Sequence, residues 1–326
     1  MSTHATAAEL SYDDVLDDLS VASVHRSFDP YVDIDWDAPA MAIVDNDRRW
    51  VLPAGDPVGG HEWYRRQPLD VQIAIGKWRM ANIAKTGLQF ESILIRGLMQ
   101  YSFRLRNGDR EFRYCTHEAK EECNHTLMFQ EYINRLGVQV PGARRGFRRI
   151  SPFIPLAATA FPTIFFMGVL AGEEPIDHVQ KDLLRGDTEL HPATAAIFEL
   201  HVAEEARHIS FAHEYIRAAI PEKGRVSRWV LSLMLPIIMR TLCGVIMVPP
   251  RRFRRIFDIP DDVFREMFWD APQSRSMLAG VFGDVRMLAD QSGLMNPVSR
   301  WTWRRLGIAG RSSRYRSEPQ YHPSAA

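Results

Sequence analysis

The chain has little cysteine: three residues in 326, Cys115, Cys123 and Cys243. An odd number without paired spacing argues against a disulfide framework and for a reducing, cytoplasmic setting. Cys123 reads as a small buried residue. Neither sign of charge is in excess, with 40 basic and 40 acidic side chains, so the balance gives no reason to expect a nucleic-acid partner. The N-terminal stretch is acidic (Asp13, Asp14, Asp17, Asp18) and lacks a basic segment followed by an apolar core, so no signal peptide is expected. Trp229 to Val248 comes nearest to a membrane-length apolar run, but Pro236 and Arg240 fall near its middle. An arginine at bilayer depth costs at least ~2.5 kcal/mol. That segment reads as a buried core or interface helix, and Arg251, Arg252, Arg254 and Arg255 after it as a solvated basic turn. Strand-like alternation does not stand out, which leaves an all-α protein. The dinucleotide fingerprint Gly-x-Gly-x-x-Gly is missing too, so the chain shows no flavin or nicotinamide site of its own.

What is present is helical periodicity. Residues 1–64, rich in Asp, Pro and Gly, read as an irregular arm packed on the body. Residues 65–310 read as one domain, and 311–326, rich in Ser and Arg, as a disordered tail. From Leu69 apolar residues recur at helical spacing (Ile73, Trp78, Ile83, Leu88, Ile93, Leu98), predicting a helix to about Leu105, before Asn107-Gly108. A second helix is expected from the N-cap Asp109 to Leu136, with Gly137 just past its end. A third spans about 156–185, where Pro175 should bend it unless it is already irregular. A fourth starts at Pro192 and ends near Pro221. Further helices are expected near 224–248, 261–268 and 272–292.

Two of these helices carry the same motif. Glu121-Glu122-x-x-His125 and Glu204-Glu205-x-x-His208 each project a carboxylate and an imidazole one turn apart on one face. A lone Glu-x-x-His is a weak signal, common on exposed helix faces; two copies, each with a second Glu in front, are harder to dismiss. The second copy extends to His201-x-x-x-Glu205-x-x-His208, three ligand-type side chains within about 60° of one another on a helix. Apolar neighbours (Ile197, Phe198, Val202, Ile209, Phe211) turn that stripe inward, and buried Glu and His need partners. One Glu from each of two further helices would complete the dimetal carboxylate site of a ferritin-like four-helix bundle. Glu91 is the acid the first helix offers amid apolar residues, as a ligand or as a satisfied core group. The third offers Glu173 and Glu174, of which one can point straight in; Glu174 is preferred, with Asp177 on its face. The expected metal ligands are therefore Glu91, Glu122, His125, Glu174, His201, Glu205 and His208. Glu91, His125 and bridging Glu122 would serve one ion, and Glu174, His201, His208 and bridging Glu205 the other. Carboxylates mixed with imidazole suit iron, with manganese possible. Glu121 and Glu204 either accept a proton from a ligand histidine across the bundle or lie on an exposed charged face.

These residues resemble the AurF-like p-aminobenzoate N-oxygenases, over roughly Leu69 to Gly293. The resemblance rests on Glu91, Glu122-x-x-His125, Glu174 and His201-Val-Ala-Glu-Glu-Ala-Arg-His208, with His201 as the distinguishing third histidine. It implies a ferritin-like bundle with added helices, usually a homodimer, holding two Fe ions that activate O2 to oxidise an amine. The arylamine would go toward hydroxylamine, nitroso and nitro products. It also implies an external electron donor, a ferredoxin or a reductase. Diiron C–H hydroxylation or desaturation, and iron binding without catalysis, are the competing readings.

Overall fold

The computed structural model describes residues 11–186 and 188–318, and no strand occurs among them. The arm is not irregular throughout, as its composition suggests. Helix α1 (Tyr12–His25) is started by a capping box: the Asp14 N–H donates to the Ser11 hydroxyl and the Ser11 N–H to the Asp14 carboxylate, both at 3.2 Å. Beyond it the arm runs through turns to the short α2 (Glu62–Arg65). There the Tyr64 hydroxyl accepts the Leu52 N–H at 2.8 Å and donates to the Gln72 carbonyl at 3.1 Å, tying the arm to the next helix.

Four long helices form the bundle: α3 (Leu69–Ser102), α4 (Glu111–Leu136), then, after α5 (Arg145–Ile150) and α6 (Ala157–Ala160), α7 (Pro162–Arg185) and α8 (Pro192–Ala219). Helix α3 packs along α4, and α7 along α8. The ends follow local chemistry. Gly137 stops α4 at φ 66°, the left-handed cap a Cβ disfavours. Asp109 does not cap α4, which starts two residues later; its carboxylate takes the Arg106 N–H at 2.8 Å in the preceding turn. The expected helix near 156–185 is broken at Phe161 (φ −139°, ψ 63°), because Pro162 disfavours helical backbone in the residue before it. Pro175 does not end α7. Cys123 is exposed rather than buried; it follows the inward Glu122 by one position, which turns it to the outside of α4.

Helix α9 (Arg225–Met247) packs on α7; Leu231, Leu235, Met239, Cys243 and Ile246 are buried, while Val226, Val230 and Ile237 are exposed. Among the described residues one stretch, Arg225–Ile256, is long and apolar enough to cross a membrane, and 44% of its most apolar window is buried inside the protein. Arg240 is accommodated by lying 3.7 Å over the Trp269 ring and donating to the Leu306 carbonyl at 3.2 Å. The basic run after it forms α10 (Arg251–Ile256). Then follow α11 (Asp261–Arg265), α12 (Pro272–Gly280), α13 (Gly283–Gln291) and α14 (Pro297–Arg305). Residues 311–318 of the expected disordered tail fold back on the body. The Ser317 N–H donates to Asp284 at 2.6 Å, Arg316 to Ser210 at 2.7 Å, and buried Glu318 takes Arg311 and Arg314 at 2.9 and 2.8 Å. Residues 319–326 lie outside the described residues.

Two apolar clusters fill the bundle. One contains Leu94, Leu98, Phe166, Phe211 and Tyr215, the other Ile73, Met128, Phe129, Tyr132 and Ile197. Fully burying each such side chain contributes ~1.5–3 kcal/mol, enough to hold a polar layer between them.

Candidate metal centre

That layer is where the paired motifs meet. Glu91 from α3, Glu122 and His125 from α4, Glu173 from α7, and His201, Glu205 and His208 from α8 are all buried. One ligand-type atom each from Glu91, His125, His201 and Glu205 lies within 4.8 Å of the others. The same holds for Glu122, His125, Glu205 and His208, and for Glu91, Glu122 and Glu173. His208 Nδ1 is 2.8 Å from Glu122, His125 Nδ1 is 3.1 Å from Glu122 and 3.4 Å from Glu205, and His201 Nε2 is 3.6 Å from Glu91.

Each imidazole presents one nitrogen to this cluster and has the other tethered outside it. His125 Nε2 is 3.0 Å from Glu204, His208 Nε2 2.8 Å from Glu121, and His201 Nδ1 2.9 Å from the Gln180 side-chain oxygen. An ionised carboxylate only accepts, so the tethered nitrogens carry the protons. The inward nitrogens face the carboxylates of the cluster, where a bound cation would take the place of any proton they hold. Glu121 and Glu204 are thus not surface residues. They exchange partners across the bundle, each taking the histidine of the other's motif. Arg207 spans both carboxylates, 2.9 Å from Glu121 and 3.4 Å from Glu204.

The charges show what the cluster would take. Burial pushes the Glu91 and Glu173 carboxyls up, and neighbouring carboxylates (Glu122 for Glu91, Glu205 for Glu173) push them further. Burial also opposes ionisation of Glu122 and Glu205, but His208 with the other adjacent imidazoles outweighs it, holding Glu122 well below the carboxylate range and Glu205 at about 2. Burial works against protonation of His125 as well; Glu122, Glu204 and Glu205 reverse it, raising His125 to about 10. Desolvation holds His201 down at about 4. Among the described residues Glu91 Oε2, Glu205 Oε2 and His201 Nε2 are buried without a hydrogen-bond partner, a costly state for polar atoms. Such a set, four carboxylates and three imidazoles, fits a pair of iron or manganese ions in its donor chemistry.

Glu174 requires a correction. Its carboxylate is paired with His213 of α8, in a separate polar patch with Asp284, Asp177 and His178. The adjacent Glu173 is the one that joins Glu91 and Glu122. Glu174, Asp177, His178 and Lys181 form a polar stripe at helical spacing, with Lys181 bonded to Asp177 at 2.6 Å, and that stripe faces away from the cluster. The signal pointing to Glu173 was Gln180, two turns on and therefore on its face. The division of histidines also differs from expectation: His201 groups with Glu91 and His125, whose ring lies 4.6 Å from its own, rather than with His208. Glu118, one turn before Glu122, was not anticipated; it is fully buried with both oxygens unpartnered. Glu173→Ala is expected to abolish loading of at least one ion per chain. Glu174→Ala is expected to keep both ions while losing ~1–3 kcal/mol, because His213 is left unsatisfied. Metal analysis beside thermal melts checks both.

A family model described as P-aminobenzoate N-oxygenase AurF matches residues 9–293. An uncharacterized protein of Mycobacterium bovis is 55% identical over 320 residues, covering 98% of this chain and 94% of its own. An uncharacterized protein of Mycobacterium tuberculosis matches at 55% over 320 residues with the same coverage. No solved structure matches the chain.

Proposed function

The chain belongs to the p-aminobenzoate N-oxygenase AurF family, and we propose that it is a diiron oxygenase oxidising an amine nitrogen. The observation that carries this reading is the tethering of three imidazoles, each with one nitrogen turned to a cluster of four buried carboxylates. Glu91, Glu122, His125, Glu173, His201, Glu205 and His208 would hold the metals. A bound iron pair would supply the redox chemistry that activates O2.

The protein's own tasks follow from its residues. Glu121, Glu204 and Gln180 fix the orientation of the imidazoles, and Arg207 balances the two outer carboxylates. The apolar clusters on either side keep water from the layer. An apolar cleft beside Glu173 gives an organic substrate a place, which storage of iron alone would not need. The reading includes an external electron donor, a homodimer and a cytoplasmic setting, the last in keeping with three unpaired cysteines.

The test is metal content followed by turnover. Two irons per chain are expected, and His201→Ala should reduce loading by about one ion, with the remaining ligands still in place. With a chemical reductant and O2, an arylamine should yield hydroxylamine, nitroso or nitro product. Oxidation at carbon alone, or two-iron loading that His201→Ala leaves untouched, would refute the proposal.

A further inference from the structure

Between α3, α7 and α9 lies a cleft of about 330 Å³, within the size range of small-molecule sites. It reaches the metal layer through Phe90, Gly172 and Glu173, which it shares with a smaller inner cavity of about 40 Å³ touching Glu91 and His201. Gly172 allows the Phe90 ring its close approach: a Cβ there would lie 3.2 Å from it. Phe90 in turn stacks on Phe147 of α5 at 5.2 Å and 13°. Apart from Glu173 and Thr241, every residue lining the cleft is apolar or glycine, among them Ile93, Leu94, Val169, Ile238 and Leu242.

Among the described residues no cation lines this cleft. Arg240, next to Thr241, is turned away onto Trp269 and the Leu306 carbonyl. The arginines beside Phe147 (Arg145, Arg148, Arg149) are exposed and are not part of the lining. An anionic substituent would therefore leave water for apolar walls, with carboxylates as the polar groups at the inner end. Unpaired burial of that kind is strongly disfavoured. An uncharged arylamine with an apolar ring substituent meets no such penalty, and its amine can donate to Glu173.

Resting on the amine-oxygenase reading above, we infer that the substrate of this chain is an uncharged arylamine bearing an apolar substituent, seated in this cleft with nitrogen toward Glu173, and not a carboxylated arylamine. Gly168 gives a means of testing it. It lines the cleft, and a Cβ built there meets only Leu242 Cδ1, at 3.9 Å. Gly168→Leu should therefore fold, since it gains helix propensity, while filling the cleft.

The experiment is calorimetric binding to manganese-loaded protein without O2, using 4-butylaniline and 4-aminobenzoate as probes. The parent should bind 4-butylaniline at least about tenfold tighter than 4-aminobenzoate, and Gly168→Leu should weaken 4-butylaniline by at least about tenfold. Thr241→Arg, at an exposed rim position, should improve 4-aminobenzoate binding by about tenfold. Equal or tighter binding of 4-aminobenzoate to the parent overturns the inference. So does unchanged 4-butylaniline binding in a folded Gly168→Leu, or in its absence a Thr241→Arg variant without gain. Tight, cleft-dependent binding with no oxidised product on turnover would count against the oxygenase reading and leave the cleft's preference established.

Discussion

Loading the metal-free chain with manganous or ferrous ion should raise its unfolding temperature by about 8 °C or more and reverse the way its stability depends on pH. A ligand held at a thousand times its dissociation constant stabilises by about 4.1 kcal/mol per site, and each kcal/mol shifts melting by roughly 2 °C in a large domain. The pH effect follows from the buried groups. His125, opposed by burial but raised to about 10 by Glu122, Glu204 and Glu205, holds its proton in the folded state where the unfolded chain has released it. Its contribution is complete below the ordinary histidine value of 6.5 and is lost as pH rises through about 10. Glu91 and Glu173, raised by burial and then by their neighbours, act in the same direction above the usual carboxylate range. His201, which desolvation lowers to about 4, works the other way only below 6.5. Metal-free stability should therefore fall between pH 6.5 and 9.5. Bound metal competes with these same protons, so loaded protein should hold or gain stability over that window. Scanning fluorimetry with chelator and with manganese gives both curves; parallel curves, or a shift below about 2 °C, would show that the layer does not bind cations.

The meeting of these acids and imidazoles in one buried layer was legible because the residues are tied to helical spacing. Glu122, His125, Glu205 and His208 follow from two repeated motifs, and the exchange of Glu121 and Glu204 follows from two equal helices packed face to face. Where spacing left two options, local sequence could not choose. Glu173 and Glu174 differ by 100° of helix rotation, and the choice is made by α8, which offers His213 to Glu174. The helix in the arm and the order of residues 311–318 were missed for another reason. The order of 311–318 comes from contacts to distant elements, such as Ser317 to Asp284, which composition does not register. Only α1 left a local trace, the Ser11–Asp14 capping box. The cleft was invisible in the sequence because apolar residues lining a void read the same as apolar residues filling one.

The largest loss of stability is expected from Gly76→Ala. Gly76 is in α3 where the arm crosses it, and a Cβ there would lie 1.7 Å from the Trp50 carbonyl oxygen and 2.9 Å from its carbon. Both are backbone atoms, so no side-chain rotation relieves the overlap. Trp50 is itself held: it is buried, and its ring stacks on His191, the residue that caps α8, at 4.6 Å and 20°. The arm must therefore lift, exposing the cluster that its Leu52, Val58 and Tyr64 form with Trp78 of α3. A loss of about 4 kcal/mol or more is expected, at the upper end for a single substitution, against the small gain that alanine over glycine normally gives in a helix. Gly168→Ala provides the contrast, the same change within a helix with its nearest atom at 3.9 Å, and should gain up to ~1 kcal/mol. Because Gly76 lies about 22 Å along α3 from Glu91, folded Gly76→Ala should still bind the full complement of metal. Denaturant melts of the two variants give the comparison. Equal stabilities would mean that the arm does not cross α3 at this point, and loss of metal at full stability would mean that the arm supports the layer directly.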